Sequence, residues 1–122
     1  MSNNYLKTAA SYMYQAATAV KFEADQLRRD IDSLKKQLID GTAHLEQNIK
    51  LVDLEEQTYK HNGHIEHAVQ KHAQKDQMRS QLDQLKRDLQ SRISSMEQMV
   101  SNQLREYQSL EQQADSIRAK AG

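Results

Sequence analysis

Two apolar seams, each the mirror image of the other, constrain this chain more than any other feature. Leu6, Ala10, Met13, Ala17, Val20, Ala24, Leu27, Ile31, Leu34 and Leu38 follow in alternating steps of four and three, and after Thr42 the series resumes at Leu45, Ile49 and Val52. That alternation keeps one stripe of a helix against a partner helix. Thr42 introduces two successive steps of four, a stutter that locally unwinds a supercoil. Counted backwards, Ala121, Ile117, Ala114, Leu110, Tyr107, Gln103, Val100, Met96, Ile93, Leu89, Leu85, Leu82, Met78 and Lys75 repeat the same order of steps, with the stutter in the same place. The two numbers of every facing pair add to 127, as in Leu6 with Ala121 or Leu38 with Leu89. Only antiparallel arms require this mirror, because a stutter in one arm must be met by a stutter in the other.

The expected fold is therefore all-α: a long antiparallel two-helix coiled-coil hairpin forming a single domain over 1–122. The first helix is expected over about 4–60, a turn at 61–65, and the second helix over about 66–121. His61-Asn62-Gly63-His64 supplies the residues that tolerate a left-handed backbone after a helix. Lys60 and His61 end the first helix and Glu66 begins the second, each of the sign that the helix dipole favours there. Asp40-Gly41-Thr42 offers an alternative: a second turn there would give three helices, 5–40, 43–61 and 66–121. Their unequal lengths and the mirrored stutter favour the continuous hairpin.

Along the seam, small faces large near the chain ends, with Ala10 against Ile117, Met13 against Ala114 and Ala17 against Leu110. Such pairs let helices approach without voids. Towards the turn the seam loses apolar character. Val52 faces Lys75, whose ammonium is expected to reach for water over an aliphatic stem, and the next pair is expected to be Glu55 with His72, at a looser end.

Composition narrows the function. Pro and Trp are absent, aromatic residues make up 5% and charged residues 28%, which suits long solvated helices. The 17 basic and 17 acidic residues balance, and neither half is basic enough for a nucleic-acid surface. The longest apolar stretch, Ala16–Val20, includes Thr18 and is too short for a membrane span or the core of a signal peptide. A cytoplasmic protein is expected, with signal-peptide-independent export open to it. No Gly-rich phosphate loop, His-Glu-x-x-His or Glu-x-x-His motif occurs, so no enzyme and no cofactor is expected.

Two constellations remain. His61, His64 and His67 crowd the turn and form a candidate zinc or nickel site or a pH-sensitive cluster, against the simpler reading of a polar, solvated tip. Beside the seam, Tyr5, Ala9, Tyr12, Ala16 and Ala19 run in steps of 4, 3, 4 and 3, with Phe22 close by and Leu104 opposite that region. This second stripe predicts partner binding through Tyr5, Tyr12, Ala16, Ala19, Phe22 and Leu104. The product would be a four-helix bundle, by self-association or with another protein.

In architecture the chain resembles the small helical hairpins of type VII secretion and the coiled-coil stalk and chaperone proteins of type III secretion and flagellar export. Prefoldin subunits share long hairpin arms but interpose β-strands, and no β-rich run occurs here. Tyr107-Gln-Ser-Leu-Glu111 fits the Tyr-x-x-x-Asp/Glu pattern of type VII substrates, while their Trp-x-Gly turn is replaced by Asn62-Gly63-His64. The resemblance implies an adaptor or chaperone-like role in a secretion or assembly system. The alternatives are a structural spacer in a phage or appendage particle, and a metal- or pH-responsive tip.

Overall fold

The computed structural model describes residues 2–122, so Met1 of the expected domain lies outside the described residues. Two helices account for nearly all of them: α1, Ser2–His61, and α2, Ile65–Ala121. They pack against each other as a helical hairpin. Among the described residues there is no strand, and no helix is long and apolar enough to cross a membrane.

Gly41 lies inside α1, and the left-handed backbone is confined to Gly63 (φ 79°) and Gly122 (φ 86°) among the described residues. The three-helix alternative is thereby overturned, because a second turn would have broken α1 there. The hairpin comprises two compact units, one made of the stretch ending at Asp32 with Ser94–Gly122, the other of Ser33–Ile93.

In the first unit the buried residues are Ala10, Ala17, Ala24 and Ile31 of α1 and Val100, Ala114 and Ala121 of α2. In the 127 register each alanine stands opposite a larger, half-buried residue: Ile117, Leu110 and Gln103 for Ala10, Ala17 and Ala24, and Met13 and Leu6 for Ala114 and Ala121. The small residue is covered because the backbones close over it.

The second unit buries Leu34, Val52, Ala68, Leu82, Leu89 and Ile93 and contains the stutter. Gly41 and Thr42 are both half-buried, as are Leu85 and Lys86 on α2. The extra residue is thus absorbed by presenting two adjacent positions instead of one. Thr42 satisfies its hydroxyl locally, donating to the Leu38 carbonyl at 2.7 Å. A Cβ on Gly41 would come within 3.2 Å of Leu85 Cδ2, a flexible side-chain end. Alanine gains about 1 kcal/mol of helix propensity over glycine, and a small shift of one methyl costs less. Gly41→Ala is therefore expected to raise urea-unfolding stability by about 0.5 kcal/mol, while the branched Gly41→Val lowers it.

The turn closes on Gly63. Its N–H donates to the Lys60 carbonyl at 3.2 Å, and the His64 N–H donates to the Tyr59 carbonyl at 2.9 Å. These are the two bonds of a Schellman cap, with Gly63 as its left-handed residue. The His64 carbonyl then accepts from Ala68 N–H at 3.1 Å, opening α2. One residue ends α1 and starts α2, which is why the turn is so short.

Candidate interaction surfaces

α1 begins with an apolar stripe that the hairpin leaves uncovered. Tyr5 is 76% and Tyr12 67% exposed, and Ala16 and Ala19 are exposed while Ala9 is half-buried. Phe22 is also 67% exposed, but it stands one residue out of step. The stripe continues at Glu23, whose carboxylate accepts from Gln103 Nε2 at 3.1 Å.

Leu104 does not join that stripe. Tyr12 and Tyr14 are separated by about 200° around α1, and Tyr14 donates a hydrogen bond to Asp115. Leu104 lies eleven residues, close to three full turns, before Asp115. It therefore sits half-buried on the Tyr14 flank, across the seam from Tyr5 and Tyr12. Numerical register pairs position 104 with 23, but neighbouring positions differ by about 100° around a helix, and Gln103 makes the contact. On the Tyr14 flank, Lys7, Ser11, Tyr14, Thr18 and Arg118 border an open groove.

Tyr14 and Tyr107 donate to carboxylates, Tyr14 to Asp115 and Tyr107 to Glu111 at 2.6 Å. Those bonds, with burial adding to them, raise both phenols above the usual tyrosine value. Tyr107 and Glu111 are thus joined within one turn of α2, a structural use for the Tyr-x-x-x-Glu pattern. Gln103 brings polarity into the seam, because its Oε1 is buried with no hydrogen-bond partner. Relieving an unsatisfied buried acceptor is worth about 1–3 kcal/mol. Gln103→Leu is expected to raise stability by about 1 kcal/mol, read from chemical denaturation, despite loss of the bond to Glu23.

The second unit carries a buried ionic cluster in place of the solvated end expected from the sequence. Past Val52 the four-three alternation runs on through Glu56 and Tyr59, opposite Lys71 and Ala68. Glu56, not Glu55, occupies the seam, and it is only 1% exposed. Its carboxylate accepts from His72 Nδ1 at 2.8 Å and Lys75 Nζ at 3.3 Å, and pairs with Lys60 Nζ at 3.4 Å. Lys75, expected to reach for water, is 5% exposed, and its ammonium also donates to Asp53 at 2.8 Å. Glu55 pairs outside the seam with Lys71 at 2.6 Å.

Charges held this way titrate away from their ordinary values. Burial pushes the Glu56 carboxyl up, but bonds from His72, Lys75 and Lys60 outweigh it and leave it below the usual range. Asp53 is lowered chiefly by the hydrogen bond from Lys75. Lys75 is raised, first by Asp53 and then, against burial, by Glu56. The cluster ties both helices together by charge where apolar side chains give out.

The turn histidines pack instead of converging. His67 stacks on Tyr59 with ring centroids 5.1 Å apart, and His64 meets the same ring edge-on at 6.3 Å. His61 is exposed in the last turn of α1. Among the described residues no group of three His, Asp or Glu side chains is arranged to hold a metal ion. The candidate His61, His64 and His67 set is therefore not assembled. His64 is the residue after the cap glycine, and its contact with Tyr59 is the one that accompanies a Schellman cap. Exposed Leu51 and Leu54 on α1, and Ile65 and Val69 on α2, add apolar surface to this unit.

No family model, no curated protein and no solved structure matches this chain.

Proposed function

We propose that this chain is a non-enzymatic helix-docking protein, an adaptor or chaperone that buries amphipathic helices against the first turns of α1. The reading is carried by exposed Tyr5, Tyr12 and Ala16, in step with half-buried Ala9, beside a seam that α2 already fills. A two-helix coil needs one apolar stripe, and a second one left in water favours association. Tyrosine suits docking because it brings a large apolar face, a polar tip and little side-chain entropy to lose.

The test is capture of a synthetic amphipathic helix of Leu and Ala heptads carrying one tryptophan, a residue this chain lacks. Anisotropy of that tryptophan should rise on titration with the protein, and Tyr12→Glu should abolish the rise. A peptide that binds both chains equally, or a monomeric protein that captures none of it, removes the reading. A structural role in a larger assembly is the second reading, favoured by exposed Leu51, Leu54, Ile65 and Val69 in the other unit.

A further inference from the structure

Taking the α1 stripe as a docking face, we infer that its occupant is a second copy of this chain, laid antiparallel. Tyr5, Ala9, Tyr12 and Ala16 are spaced four, three and four, a palindrome in position. Turned end for end on a second copy, the stripe faces itself with Tyr5 against Ala16 and Ala9 against Tyr12. Every exposed tyrosine then lies over an alanine, and the two-fold axis makes each contact twice. A parallel arrangement sets Tyr on Tyr and Ala on Ala, crowding one level and leaving a void at the next.

Charge is compatible with the same partner. No acidic residue precedes Glu23, and Lys7 and Lys21 are the only basic residues in those first 22, in a chain with 28% charged residues. Both lysines lie off the stripe: Lys21 sits over the Tyr107 ring at 5.6 Å, and Lys7 borders the groove beside Tyr14. On a face related to itself by a two-fold axis, a charge at the axis meets its own sign, and charges elsewhere meet whatever stands at the paired position. Between Tyr5 and Ala16 the stripe itself carries no charge, so the antiparallel pairing sets no like charges against each other along it. Four tyrosines, each burying roughly 150–250 Å², together with the alanines, approach the roughly 1,000 Å² of a specific interface.

The experiment uses the full chain. Light scattering should give twice the 14.1 kDa chain mass, and Tyr12→Glu should cut the dimer fraction at least tenfold while circular dichroism keeps its helical signal. Because the chain has no cysteine, single substitutions report the pairing directly. A mixture of Tyr5→Cys and Ala16→Cys chains should oxidise to the mixed disulfide, far faster than either variant with itself. Self-linking of Tyr5→Cys alone overturns the antiparallel register, and a strict monomer at the highest soluble concentration overturns the second copy. A monomer that still captures the tryptophan peptide sinks this inference alone, and one that captures nothing sinks the docking reading with it.

Discussion

Glu56→Ala is expected to melt roughly 10 °C below the parent chain, followed by far-ultraviolet circular dichroism at neutral pH. Glu56 is the common acceptor for Lys60, His72 and Lys75, and both it and Lys75 lie inside the seam. Removing it leaves Lys75 with Asp53 alone and a void where the carboxylate stood. Breaking one side of a buried ion pair costs more than the pair itself is worth, because an underpaired charge stays out of water. The partner experiment follows. Glu56→Ala combined with Lys75→Met removes both charges and should recover most of the lost melting temperature. A single variant as stable as the parent would mean that water solvates this cluster freely.

The same cluster fixes a pH dependence whose sign can be worked out. Asp53 and Glu56 have carboxyls held below their unfolded values. Their contribution is complete above those unfolded values and fades as pH falls through the lower folded ones, below about pH 4. Lys75 and Lys71 are raised, Lys71 first by its bond to Glu55. Their contribution is complete below about pH 10 and fades as pH rises further. The gap between parent and Glu56→Ala melting temperatures should therefore narrow in acid.

The hairpin was legible because its determinants repeat. Apolar residues in four-three alternation, a stutter mirrored in both arms, and Asn62-Gly63 at the midpoint each point to one arrangement. The ionic cluster is hidden by residue type, since a charged residue ordinarily points outward and a step of three from Val52 leads to Glu55. Yet the alternation itself continues to Glu56 and Tyr59, so spacing alone located the buried acid while residue type hid it. Leu104 and Phe22 show the opposite limit. They lie near the exposed stripe in number, but one residue is about 100° of helix, and nearness in number is not membership of a face. The histidines were noticed for their composition, and their packing on Tyr59 depends on a cap geometry that composition does not carry.

Ala114→Leu is expected to cost about 1–3 kcal/mol through overpacking, measured by chemical denaturation. Ala114 is fully covered, and the Tyr14–Asp115 hydrogen bond one residue along on both helices holds Met13 across from it. Three added carbons have nowhere to go unless the backbones separate, which loosens the neighbouring Ala17 and Ala10 levels as well. The compensating change is Met13→Ala, which alone removes a half-buried side chain and costs about 1 kcal/mol. Together the two substitutions exchange small for large across one level of the seam. The double variant should then lie well above the sum of the single losses, because residues in contact do not behave additively. If the losses simply add, Met13 and Ala114 do not share a level, and the 127 register fails in this unit. Recovery in the double variant would instead establish that size complementarity, level by level, holds the arms at this end, where the seam carries alanine in place of leucine.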